Sequence, residues 1–296
     1  MGKIFVIYGD GIGCHKEAAH AYNAAYGKAG GIAELVHYRQ ILLKEKNLFD
    51  AGAINFSGGF WAGDILGAGM CGANEITNTL MGDDGKCLKD QLIEFAEKGR
   101  IIYGQCNGFQ LLVKMGLLPG ISGDYSKQTV TLTNNDCGTY RVDFVRHKVN
   151  RLHWLFDGMD VDEALWLWCR HGEGKIQFYS PYGQIGKENA EMNGIATEMF
   201  HTLMWYADRE TGERTMRFPD NPNGSEGAIA GLMNNTGTII GHMAHTEAGI
   251  HPSRHPEYFR IMDRWRREGV PLNQINQKTL EGTCMKIFEN IVKRVG

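Results

Sequence analysis

The sequence predicts an α/β fold: a mostly parallel sheet flanked by helices, with an added antiparallel strand region. Three observations carry this. Short apolar runs alternate with helix-patterned segments from the N-terminus to about Gly120. Each run ends in glycine-bearing turns, which suits βαβ units packed on both faces of a parallel sheet. After that point β-branched and aromatic runs follow one another directly, separated only by turn residues, as antiparallel strands do.

The elements follow in order. "KIFVIYGDG" is a buried-strand pattern closed by glycine, and "HKEAAHAYNAAYGKAG" is an alanine-rich helix with Gly27 and Gly30 as stop signals. "IAELVHY" reads as a second strand. "AGAINFSGGFWAGD" has a short apolar core, Ala53 to Phe56, before a glycine turn. "GKCLKDQLIEFAEKG" is amphipathic, with Leu88, Leu92, Ile93, Phe95 and Ala96 on one side. "RIIYG" is a strand and "FQLLVKMG" a helix. The antiparallel candidates are "QTVTLTNNDCGTYRVDFVRHKV" and "ALWLWCRHGEGKIQFY", followed by "GAIAGLMNNTGTIIGHMAH", a hairpin about Asn-Asn-Thr-Gly. "EGTCMKIFENIVKRV" closes the chain as an amphipathic helix. Neither a repeat nor a linker breaks the 296 residues, so a single domain over 1–296 is expected, with candidate insertions at 182–205 and 257–280. The second contains "RIMDRWRREG", an added docking surface or, the reading favoured here, a solvated amphipathic helix.

Bulk properties narrow the function. The net charge of −3 gives no support to a nucleic-acid partner. No apolar run approaches the ~20 residues of a membrane span, and "MGKIFVIYGDG" ends too abruptly for a signal peptide. The seven cysteines, Cys14, Cys71, Cys87, Cys106, Cys137, Cys169 and Cys284, form no CxxC pair, so a zinc site or redox dithiol has little support. A reduced, cytoplasmic protein is the expectation.

Cys106 stands apart. "GQCNG" is Gly-x-Cys-x-Gly between a strand and a helix, the cysteine form of a nucleophile elbow. Gly104 and Gly108 leave room where the turn would make a side chain clash, and a helix N-terminus favours thiolate, the attacking species. Such a nucleophile needs a base, and the base an orienting group. "GHMAHTE" supplies both: His245 and Glu247 are two apart in a loop, so the carboxylate can reach one ring nitrogen while the other faces sulfur. His242, nearer the strand, is expected to be buried. His171 and Glu173 in "RHGEGK" form a second pair, ranked lower for the base. An oxyanion hole could use the Asn107 amide and one from the Gly58-Gly59 turn.

"GQCNGFQLLVKMGLLPG", "INFSGGFWAGD", "TLTNND", "HGEGK", "NPNGSEGAIAGLMNNTGTIIG" and the final His-x-Glu occur in one order. Together they resemble the glutaminase subunit of phosphoribosylformylglycinamidine synthase. The resemblance implies a flavodoxin-like fold and hydrolysis of glutamine to glutamate and ammonia. By motif, Cys106 would form a γ-glutamyl thioester, His245 would be base and then acid, and Glu247 would orient it. Gly59 and Asn107 would provide the oxyanion amides. Gln110 would bind glutamine, with Gly58, Phe60 and His171 beside it. Ammonia would pass to a large synthetase subunit, with or without a small bridging subunit, making formylglycinamidine ribonucleotide for purine synthesis; ATP and magnesium would sit on that partner, with no cofactor and no metal site on this chain. The run Ala244-His245-Thr246-Glu247-Ala248 lacks the family's prolines around the histidine and the arginine after the glutamate, which predicts a less rigid loop. Two readings stay open beside this one: an amidotransferase serving another synthetase, and a non-catalytic regulatory member of the fold. A cysteine peptidase or other hydrolase on the same elbow is a third.

Overall fold

The parallel part of the sheet is built from strands apolar on both sides. In β1 (Lys3–Tyr8), Phe5 and Ile7 enter one core and Ile4 and Val6 the other. A strand in a parallel sheet is covered by helices on both faces, which is why its sequence is a continuous apolar run. The structure is a computed structural model and describes residues 2–82, 85–150, 152–159, 165–178, 194, 197–271, 273–274 and 284–295.

From β1 the chain passes through α1 (His15–Tyr26), β2 (Ala33–His37), α2 (Tyr38–Leu42), β3 (Ala51–Phe56), α3 (Met70–Asn78), α4 (Leu88–Glu97), β4 (Ile101–Gln105) and α5 (Asn107–Lys114). It continues through β5 (Val130–Thr133), β6 (Arg141–Val149), β7 (Leu165–His171), β8 (Lys175–Phe178), β9 (Thr202–Ala207), β10 (Ile229–Met233), β11 (Ile239–His242) and β12 (Ala244–His245). Two helices complete it, α6 (Tyr258–Arg267) and α7 (Met285–Val295).

The main sheet has ten strands in the order β12-β7-β6-β9-β10-β11-β4-β3-β1-β2. Strands β2-β1-β3-β4-β11 are parallel and have the doubly wound order of flavodoxin-like folds. The rest are antiparallel, and the expected hairpin is β10–β11, with Gly231 opposite His242. β5 and β8 pair separately, Val130 with Phe178. Helices α3, α4 and α5 lie in the core with Phe5 and Phe56, and α1 and α7 in the core with Ile4 and Tyr103. In this topology ligands bind beyond the carboxyl ends of the parallel strands.

The two candidate insertions fare differently. Residues 182–193 and 195–196 lie outside the described residues, as do 272 and 275–280. Thr202 to Trp205, at the end of the first segment, open β9 between β6 and β10, so this stretch belongs to the sheet itself. In the second segment α6 has no buried residue, and its apolar Phe259 is 83% exposed. The amphipathic helix read from the sequence is present there, with its apolar residues uncovered by the rest of the described chain.

Candidate active site

Cys106 sits between β4 and α5 with φ 51° and ψ −112°, a strained region for any residue with a side chain. Its N–H donates to His242 O at 2.9 Å, pinning the bend to β11. The flanking glycines are required by contact. A Cβ on Gly108 would lie 2.1 Å from Phe56 O, and one on Gly104 2.6 Å from Leu112 Cδ1 and 2.9 Å from Gly108 O. The thiol is almost buried and reaches Arg170 O of β7 at 3.7 Å.

His245 arrives from across the sheet. It lies in the two-residue strand β12, paired with Trp168 of β7, rather than in the loop its sequence suggests. Its Nδ1 is 2.5 Å from Glu247 Oε1, and both groups are buried. Glu247 Oε2 accepts from Gln105 Nε2 at 2.9 Å. Thr246, the residue after His245, hydrogen-bonds through its hydroxyl to Tyr103 Oη at 2.9 Å and to Gln105. Strand pairing and these buried contacts thus hold the segment in place. A Cβ on Gly58 would meet His245 Cε1 at 2.8 Å and Cys106 Cβ at 3.2 Å, so the imidazole and the Cys106 side chain converge on the bare face of this glycine. Burial works against a charged imidazole here. The charges of Cys106 and Glu247 outweigh it and hold the His245 pKa well above the usual histidine value.

A cavity of about 260 Å³ opens beside Cys106, lined by Gly59, Phe60, Asp64, Gln110, Arg170, His171 and Glu173 among others. Gly59 has φ 148°, and a Cβ there would lie 2.6 Å from Gly13 N, so the N-terminal turn packs directly on its backbone. Asn107 is the first residue of α5, where helix N–H groups have no partner within the helix. Its buried side chain accepts from Trp61 N and donates to Asp64 and Gln110, each at 3.0 Å.

The four residues expected to bind substrate are placed differently around this cavity. Phe60, Gln110 and His171 line the cavity. Gln110 also uses its amide internally, donating to Glu173 O at 2.8 Å. Gly58 does not line the cavity; its missing side chain makes room behind it for the thiol and the imidazole. The rival histidines are elsewhere engaged. His242 is buried with Nε2 2.6 Å from Tyr103 Oη, and burial pulls its pKa to about 3. His171 bonds through Nδ1 to Asn135 Oδ1 at 3.2 Å and is likewise pulled to about 3 by burial.

The sequence reading gives neither Asp64 nor Cys14 a role at this site. Asp64 and Glu173 bring two carboxylates into the cavity, and burial raises the Asp64 pKa. Cys14, from the turn after β1, places its sulfur 3.8 Å from His245 Nδ1. Burial pushes this thiol up against the opposing pull of the His245 hydrogen bond. Nothing in the spacing of residues 14 and 245 signals that contact.

Residues 1–294 match the CobB/CobQ-like glutamine amidotransferase domain. The phosphoribosylformylglycinamidine synthase subunit PurQ of Methanococcus maripaludis is 32% identical over 295 residues, covering 98% of this chain and 96% of that protein. The chain belongs to the PurQ family of glutamine amidotransferases. PurQ of Dehalococcoides mccartyi is 32% identical over 291 residues, again covering 98% and 96%. Among solved structures, PurLQS from Thermotoga maritima is similar with a TM-score of 0.64 at 20% identity, covering 100% of this chain and 99% of that one. That likeness shows a shared fold. In this chain the elbow follows β4 and His245 lies in β12, strands far apart in the sheet order.

Proposed function

We propose that this chain hydrolyses glutamine to glutamate and ammonia through Cys106, His245 and Glu247, and that the ammonia feeds a synthetase making formylglycinamidine ribonucleotide. The observation that carries the chemistry is the strained elbow cysteine facing a buried imidazole whose Nδ1 is held at 2.5 Å by a carboxylate.

In this reading His245 takes the thiol proton, and the thiolate attacks the glutamine side-chain carbonyl. The tetrahedral oxyanion is met by the Gly59 and Asn107 amides. As the C–N bond breaks, the imidazolium returns its proton to departing ammonia and leaves a γ-glutamyl thioester. Water, deprotonated by the same imidazole, then releases glutamate. Glu247, held by Gln105, keeps the ring oriented and stabilises its charged form. The cavity suits an amino acid zwitterion: Asp64 and Glu173 face the α-ammonium, and the wall from Phe60 to Arg170 encloses the rest.

The partner reading is supported by the names of the relatives, which are synthase subunits at 32% identity over nearly the whole chain. ATP and magnesium belong on that partner. Among the described residues no helix is long and apolar enough to cross a membrane, and all seven cysteines are free thiols, which supports a reducing cytoplasmic setting.

The test is glutaminase activity of the chain with and without a candidate synthetase, for the native protein and Cys106→Ala. The variant is expected to lose at least about 10³-fold. Ammonia release that survives the substitution sinks the reading. Turnover of peptides or esters with indifference to glutamine favours the hydrolase alternative.

A further inference from the structure

Cys14 is a second thiol against the same imidazole, and the glutaminase mechanism gives it no task. Its position is built. Cys14 N donates to Gly58 O at 3.0 Å, fixing the N-terminal turn to the end of β3. A Cβ on Gly58 would lie 3.5 Å from Cys14 Sγ, on the face where His245 also packs. The Cys14 sulfur, a His245 ring nitrogen and a Glu247 carboxylate oxygen all lie within 4.8 Å of one another. Both the imidazole and the carboxylate are at least nine-tenths buried.

We propose that Cys14, His245 and Glu247 form a Zn²⁺ site, and that zinc held there switches the glutaminase off. The donor set is one thiolate, one imidazole and one carboxylate, the ligand types zinc takes at about 2.3, 2.0 and 2.1 Å. Tetrahedral angles at those lengths set sulfur and nitrogen about 3.6 Å apart and nitrogen and oxygen about 3.3 Å apart. The observed sulfur–nitrogen separation is 3.8 Å, already near that value. The His245–Glu247 separation is 2.5 Å, a hydrogen-bond distance. It opens by about 0.8 Å when the metal replaces the proton, a small side-chain movement. Water from the cavity takes the fourth position. The thiolate and imidazole select zinc over magnesium and calcium, which prefer all-oxygen sites.

The site stands on this geometry; its effect on activity rests on the glutaminase reading. A dipositive ion at Nδ1 stops the ring from accepting the Cys106 proton, and it takes Glu247 from its orienting role. The metal is an inhibitor here and no part of the reaction.

The experiment uses the full chain, metal-stripped and reduced with a phosphine. Cobalt(II) alone should bind once per chain with a thiolate-to-cobalt charge-transfer absorption, and Zn²⁺ should displace it. Cys14→Ser and Cys14→Ala should lose that absorption and bind Zn²⁺ at least about 10-fold more weakly, whereas Cys137→Ser should not. In the glutaminase assay, Zn²⁺ should inhibit the native chain reversibly by EDTA, and both Cys14 variants should need at least about 10-fold more of it. Persistence of the absorption in both Cys14 variants, or equal zinc sensitivity of all chains, overturns the proposal and makes Cys106 the metal target. Should the variants not fold, alkylation of Cys14 in the native chain decides: Zn²⁺ must slow it, and unchanged labelling overturns the site. Cobalt binding is read without turnover, so a chain that binds the metal yet hydrolyses no glutamine sinks the functional reading alone.

Discussion

Gln105 Nε2 donates to Glu247 Oε2 at 2.9 Å, joining the residue before Cys106 to the carboxylate that holds His245. Three groups separated by some 140 positions are thereby locked into one unit. Gln105 is fully buried and does not line the substrate cavity. Replacing it with leucine keeps the volume and removes the donor. A lost buried hydrogen bond to a charged group is worth about 1.5–3 kcal/mol, so kcat should fall roughly 10- to 100-fold. KM should stay near the native value, because no contact with glutamine is lost. Steady-state kinetics of Gln105→Leu decide it: an unchanged kcat removes Gln105 from the mechanism.

The elbow sets a second prediction. A Cβ on Gly108 would lie 2.1 Å from the Phe56 carbonyl oxygen, which is backbone of a buried strand and cannot swing aside. Gly108→Ala should destabilise the fold by about 3 kcal/mol or more. Gly13→Ala meets nothing within 4 Å and should be nearly neutral in stability. Urea midpoints of the two variants measure the contrast; similar midpoints would mean that β3 and α5 can separate.

The cavity carboxylates should act on binding rather than chemistry. Glu173 Oε2 accepts from Ala68 N at 2.9 Å, so the group is held in place at the cavity wall. Glu173→Gln preserves shape and removes the charge that the proposed function sets against the substrate ammonium. KM for glutamine should rise about 10-fold, with kcat nearly unchanged. Alkylation of Cys106 by iodoacetamide, which has no ammonium, should proceed at the native rate. A matching loss in both readouts would instead show that Glu173 shapes the nucleophile.

These tests also separate what the sequence reveals from what only folding creates. The elbow is legible because Gly104, Cys106 and Gly108 fall where a strand pattern meets a helix pattern, and both glycines prove sterically required. The β10–β11 hairpin is legible from its Asn-Asn-Thr-Gly turn. The Glu247 contact follows from a two-residue spacing. Other features have no local signal. β12 is two residues long, too short for any periodicity, and its pairing with β7 is a property of the curled sheet. Cys14 and His245 meet across 231 positions. Gly58 and Gly59 are adjacent yet serve different contacts, one packed against Cys106 and His245, the other facing the cavity. A glycine pair in sequence says only that side chains are unwelcome.

Buried histidines give the last prediction. Burial is the main cause in each case: it pulls His147 and His153 to about 4, and His171 and His242 to about 3, from an ordinary 6.5. Each is neutral when folded and binds a proton readily when unfolded. Protons therefore favour the unfolded chain between the folded and unfolded values. The stabilisation is complete above pH 6.5 and is lost as pH falls toward 4, at about 1.4 kcal/mol per pH unit for each group. His245, with its raised pKa, works in the opposite sense: its contribution is present below 6.5 and fades as pH rises through the folded value. Four groups outnumber one, so urea midpoints should drop steeply between pH 7 and pH 5. His153 lies outside the active site, with ring contacts to Gly237 O at 3.2 Å and Leu155 N at 3.2 Å. His153→Gln should flatten that drop by about 1.4 kcal/mol per pH unit without altering its sign. A stability that holds level down to pH 5 would mean that these rings are charged, and hence solvated, in the folded chain.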